Sequence, residues 1–338
     1  MTPHLVLGVV ARLSTAAVGA IAIVELAVAI LAPEGGPLGV LQIVAPHLAI
    51  VGLVLIPFAL LVRRPPAGWV AVALLVITVA RFGGDWLSLP ASAPADSIRL
   101  DVATWNVEVE SRSGVTTAEF LRGTAADVIG LQELQPDTAA AIDADLALRA
   151  RFPYRVLVPR RDVIGLGLLS RYPIVASAFS LDPAIQQATL DLGSGRRLAV
   201  LNAHPLHADI ASLGGTRLPL GLDVDQRNAD LVTIRARLDA SASGGLPAIL
   251  LGDLNTAASE PAFDRLVRGL RDVHAEVGLG TGWTWRPIRL EFLGVGILRI
   301  DHVIVSPDIA PLGIDETCPA VGDHCLVHAT IAVPAIAG

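Results

Sequence analysis

The first ninety residues carry only seven charges, Arg12, Glu25, Glu34, Arg63, Arg64, Arg81 and Asp85, and no other feature limits the possible folds as much. Between them lie three apolar runs long enough to cross a bilayer, which takes about 20 mostly apolar residues. The first, Leu13 to Ala32, has Glu25 as its one charge. The second, Leu38 to Val62, is uncharged but contains Gln42, Pro46, His47 and Pro57. The third runs from Pro66 towards Leu89, uninterrupted from Ala67 to Ala80. Trp69 and Trp86 stand 17 positions apart, about 25 Å along a helix, a spacing that suits one aromatic anchor at each interface.

Orientation follows the arginines in short loops. Arg12 precedes the first span and Arg63-Arg64 lie between the second and third, so both belong in the cytoplasm. The turn Pro33–Pro37 has no basic residue and belongs outside, and three spans then deliver everything after Pro90 to the extracytoplasmic side. A cleaved signal peptide is the alternative for the first run, which is overlong for one; it would leave two spans and the same outside domain. Glu25 and His47 are polar groups at membrane depth. They are expected to pair with each other, or with Arg12 or Gln42, ahead of any proton or ligand role. Arg81 and Asp85 lie i,i+4 and can pair at the outer interface.

Residues 91–338 hold 21 of the 25 basic residues, all of them Arg, and 29 of the 32 acidic ones, the composition of a soluble domain with net charge −8. The absence of Lys beside an Ala-rich background reads as coding bias. Leu89–Ala95 is a Pro/Ala/Ser linker, giving an anchor over 1–90, a linker over 91–97 and a second domain over 98–338. From Ile98 the pattern changes to period two. Strands are predicted at Arg99–Trp105, Val128–Leu131, Gly165–Ser170, Arg197–Ala203, Ala248–Gly252 and Ile300–Val305. Helices are predicted at Thr116–Ala126, Asp137–Arg151, Gln226–Ala240 and Glu260–Leu270. The alternation predicts a layered α/β domain.

Polar side chains recur at the strand ends. They are Asn106 in Thr104-Trp105-Asn106, Glu133 in Leu131-Gln132-Glu133, and His204 in Leu201-Asn202-Ala203-His204. Next come Asp253 and Asn255 in Gly252-Asp253-Leu254-Asn255, then Asp301 in Arg299-Ile300-Asp301-His302 and Asp323-His324 in Gly322-Asp323-His324-Cys325. Singly, each is the ordinary Asn or Asp of a turn or helix cap. In this order they resemble the endonuclease/exonuclease/phosphatase superfamily of metal-dependent phosphoesterases, over roughly Ile98 to Val333. The stretch Gly165–Pro173 is similar to the family strand between the Glu and His motifs.

The resemblance implies a four-layered α/β sandwich, two mixed sheets flanked by helices, here preceded by three transmembrane helices. It also implies Mg²⁺, with Mn²⁺ as the alternative. Glu133 and Asn106 would be hard oxygen ligands and Asp323 a further one. His324 would be the general base, oriented by Asp301. Asp253 and Asn255 would hold the attacking water and a phosphate oxygen, and His204 would contact the phosphate or protonate the leaving group. Glu108 has two readings, a helper for a second metal or a solvated loop carboxylate. His302, next to Asp301 in a strand, should face the other way; His207 and His328 read as ordinary. Gln226-Arg227 should begin a helix behind the site. Cys318 and Cys325 bracket Asp323-His324: either they bridge and fix that segment, or Cys325 is a buried thiol and Cys318 an exposed one.

The superfamily spans nucleases, sphingomyelinases and phosphatases, so the fold alone does not decide the substrate. Within residues 91–338, net charge −8 and basic pairs only at Arg160-Arg161 and Arg196-Arg197 argue against a nucleic-acid partner. No obligate protein partner is indicated. Several spans plus an outside domain resemble the membrane-bound phosphatases of actinobacterial teicoplanin resistance. That implies a lipid-linked phosphate substrate such as undecaprenyl pyrophosphate, at the bilayer and in cell-wall recycling. The alternatives are an outside nuclease, a phospholipid or sphingomyelin phosphodiesterase, and an inactive membrane-anchored binding protein. Ile210–Leu222 and Leu290–Leu298 are unusually apolar near the motifs. The second reads equally as a core hairpin or as a membrane or acyl-chain contact.

Overall fold

The computed structural model describes residues 3–61, 65–88, 92–107, 113–212, 219–320 and 322–334. The chain begins with helices α1 (Pro3–Leu31), α2 (Gly36–Leu60) and α3 (Pro65–Trp86). There follow β1 (Ile98–Asn106), α4 (Gly114–Arg122), β2 (Val128–Gln132), α5 (Pro136–Ala144), α6 (Leu146–Arg151), β3 (Tyr154–Val158), β4 (Leu166–Ser170), β5 (Ile174–Leu181), β6 (Ala184–Gly193) and β7 (Arg196–His204). The chain continues through β8 (Asp209–Ser212), β9 (Pro219–Asp223), α7 (Asp225–Ser243), β10 (Ala248–Asp253), α8 (Pro261–Val267), β11 (Arg271–Asp272), α9 (Val273–Val277), β12 (Asp301–Val305), β13 (Ala310–Thr317) and β14 (Leu326–Val333). Two compact units result. One comprises residues 1–84, 209–224 and 259–261; the other comprises 85–208, 225–258 and 262–338.

In the first unit, all three helices are long and apolar enough to cross a membrane. Small residues let them approach, as helices in lipid require: a Cβ on Gly52 would collide with Leu74, and Gly19 faces Val70. Val18, Ala22, Ala59 and Leu74 form the buried seam. Glu25 is buried in the bundle and pairs with Arg81 of α3. The expected Arg81–Asp85 pair is therefore not formed, and neither Arg12 nor Gln42 is the partner of Glu25. A carboxylate without water needs a cation far more than one at a helix end does. Gln42 donates to the Ser259 carbonyl. Arg63 and Arg64 lie outside the described residues.

The second unit is the layered domain. One six-stranded sheet runs β13-β14-β1-β2-β4-β3 and the other β11-β12-β10-β7-β6-β5. Leu100, Val102, Val128, Leu168, Leu198, Val200, Ile249 and Leu251 fill the space between them. The alternate residues face outward, Trp105, Ile129 and Leu131 against α4 to α6, and Leu201, Leu250 and Ile304 against α7 and α8. Both faces of each central strand are thus buried, which is why the strands read as apolar runs. The helix predicted over 137–151 is two helices, because Asp145 caps the Ala147 and Leu148 amides and restarts the turn. Leu290–Leu298 forms no pair of strands: a 3₁₀ turn spans Ile288–Leu293, and Leu298 makes an isolated antiparallel bridge to Trp285.

A polar contact crosses the apolar interior. Asn202 on β7 donates through Nδ2 to the Leu131 and Gly167 carbonyls, both at 3.0 Å. Gln132 on β2 donates to Asn202 Oδ1 at 2.6 Å and to Thr104 Oγ1 at 3.0 Å. All three side chains are fully buried, so each loss strands a dry partner. Asn202→Ala is expected to cost roughly 2–4 kcal/mol, read as a lower denaturation midpoint of the detergent-solubilised chain; an unchanged midpoint would show that the contact does not lock the sheets.

Candidate active site

Strand direction gathers the polar strand ends. β1 and β2 are parallel, with Asn106 opposite Gln132, so Asn106 and Glu133 emerge side by side. β7 and β10 are also parallel and bring His204 and Asp253 to one edge. Gly252 makes that possible, since a Cβ there would lie 2.1 Å from the Ala203 carbonyl oxygen. β12 runs antiparallel to β10 with Asp301 directly opposite Asp253. His324 precedes β14, which pairs with β1.

Asn106 Nδ2 donates at 3.0 Å to both Glu133 Oε1 and Asp253 Oδ2, drawing together carboxylates from different sheets. Glu133 holds φ +54°, a conformation costing about 1–2 kcal/mol for a residue other than glycine. His324 Nδ1 donates to Asp301 Oδ2 at 2.9 Å, and its Nε2 lies 3.5 Å from Asp253. His204 Nδ1 donates to the Val163 carbonyl at 2.8 Å, and its Nε2 lies 3.5 Å from Asp253 and 3.8 Å from Glu133. Asn255 places its amide nitrogen 3.2 Å from His204 Nε2 and donates to the Pro205 carbonyl. Asp323 accepts from Trp285 Nε1 at 3.1 Å and reaches within 3.9 Å of His324.

Eight of the nine residues proposed from sequence therefore meet at one edge of the two sheets; the ninth, Glu108, lies outside the described residues. His302 faces away, donating to the Thr256 carbonyl at 3.0 Å and stacking on Phe263. His207 is exposed, and His328 pairs with Asp315. Arg227 at the start of α7 is buried and donates to the Asn255 carbonyl, so it supports the site from behind. Three supports escaped the sequence reading. Thr284 accepts from the Asp301 amide, Trp285 holds Asp323, and Arg299 ties Asp272 and Asp85 together two residues before Asp301. The run Thr281-Gly282-Trp283-Thr284-Trp285 was the available signal.

Burial alone would push His324 down, but Asp301 and Asp253 outweigh it and raise its pKa to about 10. Burial likewise opposes the charge on His204, which Asp253 and Glu133 raise on balance. Asp253 would be raised by burial yet is held below the usual range by the two imidazoles, whereas Asp301 is raised by burial and by the Asp253 charge. Ligand atoms of Asp253, Asp301 and His324 lie within 4.8 Å of one another, and Glu133 shares Asn106 with Asp253. Facing carboxylates are a donor set that fits a hard divalent cation.

Cys318 and Cys325 form a disulfide that closes the segment carrying Asp323-His324. His204 also lines a cavity of about 410 Å³, walled by Ile164, Leu181, Pro183, Leu206, Gln226 and Asp230. Asp230 accepts from Gln226 and from the Leu206 amide, and burial raises its pKa.

Residues 103–324 match the endonuclease/exonuclease/phosphatase family, and the chain belongs to it. Its members are hydrolases of phosphodiester bonds that generally depend on a divalent metal, and this chain is accordingly a phosphoesterase. Among solved structures it is similar to the endonuclease/exonuclease/phosphatase from Bacteroides vulgatus, with 18% identity, TM-score 0.54, and 69% of this chain covering 98% of that one. It is also similar to D. rerio TDP2 complexed with single strand DNA product, with 16% identity, TM-score 0.53, and 69% of this chain covering 98% of that one. Truncated Caenorhabditis elegans TDP2 follows with 17% identity, TM-score 0.51 and coverages of 69% and 97%. These likenesses are of fold. No curated protein matches the chain.

The charges and the bridge lead to three measurable outcomes. With its folded pKa above the ordinary 6.5, His324 stabilises the metal-free fold fully below pH 6.5 and progressively less as pH rises to about 10. Asp301→Asn should remove most of that decline in pH-dependent melts. A divalent cation entering these carboxylates should release protons, so titration heats at pH 8 should differ between buffers of different ionisation enthalpy; equal heats would show that the imidazole keeps its proton. Reducing the Cys318–Cys325 bridge should lower stability by about 2 kcal/mol and cut turnover several-fold by loosening His324, whereas unchanged turnover would mean that packing alone holds the segment.

Proposed function

We propose that the chain is a membrane-anchored, Mg²⁺-dependent phosphohydrolase acting on a lipid-linked phosphate or pyrophosphate, such as undecaprenyl pyrophosphate, at the extracytoplasmic face. One observation carries this reading: a phosphoesterase site and three helices able to span a bilayer occur in one chain. The surplus of acidic residues and the absence of Lys support a substrate other than a polynucleotide. A role in cell-wall lipid recycling, and thereby in antibiotic resistance, belongs to the same proposal.

Glu133, Asn106 and Asp253, with Asp323 close by, would hold the ion, which supplies electrostatic stabilisation to the phosphate oxygens. His324, aimed by Asp301, takes the proton from the attacking water. Asp253 and Asn255 orient that water and a phosphate oxygen. His204, its Nδ1 fixed by Val163, presents Nε2 to the leaving oxygen and returns a proton to it.

A second reading, phospholipid phosphodiesterase, is favoured by the cavity beside His204. Its walls are mostly apolar, carry Asp182 and Asp230, and include no arginine among the described lining residues. Such a wall accepts a neutral or cationic alcohol more readily than a further phosphate.

The test is product release by the purified full chain in detergent, comparing undecaprenyl pyrophosphate, sphingomyelin and DNA with and without EDTA. The expectation is EDTA-sensitive release from the lipid pyrophosphate, with at least a hundredfold loss in Glu133→Ala and in His324→Ala. Activity on DNA alone would overturn the lipid reading, and activity retained in both variants would overturn the mechanism. A reporter enzyme fused after residue 90 is expected to be active only when outside the cytoplasm.

A further inference from the structure

In the apolar stretch that follows His204, whose residues 213–218 lie outside the described ones, β8 and β9 pair antiparallel as a hairpin that belongs to the helical unit. Its second strand lies against the first turn of α2. The Leu222 carbonyl oxygen is 3.0 Å from where a Cβ on Gly35 would sit, and Leu222 Cδ1 is 3.8 Å from that position on Gly39. A Cβ on Gly221 would come within 3.3 Å of the Gly36 carbonyl carbon, so glycines on both sides permit the close approach. A lone two-stranded hairpin is marginal in water; the α1–α2 turn is the support that fixes this one.

That support also fixes its depth. α1 ends at Leu31 and α2 begins at Gly36, and the end of a span lies at the boundary between hydrocarbon and headgroups. At this level the hairpin exposes Ile210 (63%) and Leu220 (46%), while Leu31 and Leu38 are exposed at the same helix ends. Ile210 is paired across the strands with Leu222, and a register shift after Ala211 inserts Leu220 as an extra residue. At the open end Asp209 lies opposite Asp223, so charge keeps that end in water.

We propose that the β8–β9 hairpin is an interfacial membrane-contact element that seats Ile210 and Leu220 among the lipids around the spans. This rests on the membrane-anchored reading above. Lipid fits better than a protein partner. Two exposed side chains are far short of the roughly 800 Å² per partner of a stable interface, whereas lipid contact strengthens with each apolar side chain buried. The consequence for the reaction lies in the chain itself: β7 ends at His204 and β8 begins at Asp209, five positions on, so a short connection ties the leaving-group histidine to the lipid-contacting element.

The test uses the full chain in phosphatidylcholine nanodiscs. Both native cysteines are bridged, so one introduced cysteine takes an environment-sensitive fluorophore cleanly. Ile210→Cys is the probe and Leu220→Cys its replicate. Ile23→Cys on α1 and Val232→Cys on α7, at exposed positions, are the lipid and water references. Lipids spin-labelled near the headgroup should quench positions 210 and 220 at least threefold more than position 232, and aqueous iodide should quench them correspondingly less. If 210 and 220 behave like 232 while 23 is lipid-quenched, the hairpin proposal falls and the anchor stands. Protection from both quenchers would assign the face to a second copy of the chain and also overturn it. If 23 itself is open to iodide and untouched by lipid labels, the anchored reading falls, and this proposal with it.

Discussion

The hydrogen bonds made by Asn202 and Gln132 govern the rest of the catalytic unit. They join two sheets across an interior filled mostly by aliphatic side chains, which can slide at little cost. Asn106, Glu133 and His324 belong to one sheet; His204, Asp253 and Asp301 belong to the other. A slip of one residue would separate Asn106 from Asp253 and His324 from Asp301. An amide that reaches two backbone carbonyls and a glutamine in a dry interior has one satisfied position. Register at the core thus becomes register at the site.

The site itself concentrates negative charge. Asp253 and Asp301 are cross-strand partners, and Glu133 shares a hydrogen-bond donor with Asp253. Two imidazoles and one amide balance them in the metal-free state, at the cost of holding His324 as its cation. A divalent ion would take over that balance and free the ring to act as a base. The acidity of the cluster is therefore what couples metal binding to proton uptake and release.

Much of this was legible because the chemistry sits at strand ends, where an apolar run stops abruptly at Asn106, Glu133, His204 or Asp253. The three helices were legible because charge is absent over lengths that fit a bilayer. Pairings that depend on distant residues were not. Arg81 looked like the partner of Asp85 by helix spacing, yet Glu25 is deeper and wins the arginine, while Asp85 finds Arg299, 214 positions away. Helix 137–151 read as continuous because the capping role of Asp145 is indistinguishable in sequence from a solvated carboxylate. Ile210–Leu222 read only as apolar, since neither its hairpin pairing nor its support by Gly35, Gly36 and Gly39 follows from local pattern. Thr284 and Trp285 act through bonds to other segments and carry no periodic signal of their own.

The division into two units has a topological consequence. The chain passes from one unit to the other after residues 84, 208, 224, 258 and 261, five times in all. Neither unit is a contiguous stretch, so neither can be synthesised to completion before the other is well under way. Residues 209–224 and 259–261 reach the ribosome exit after most of the catalytic strands, and the helical unit stays unfinished until then. Cutting the polypeptide at the Pro/Ala/Ser segment would not yield two whole parts, because each fragment would hold pieces belonging to the other. Completion of the helical unit and folding of the phosphoesterase are thus interleaved events of one polypeptide.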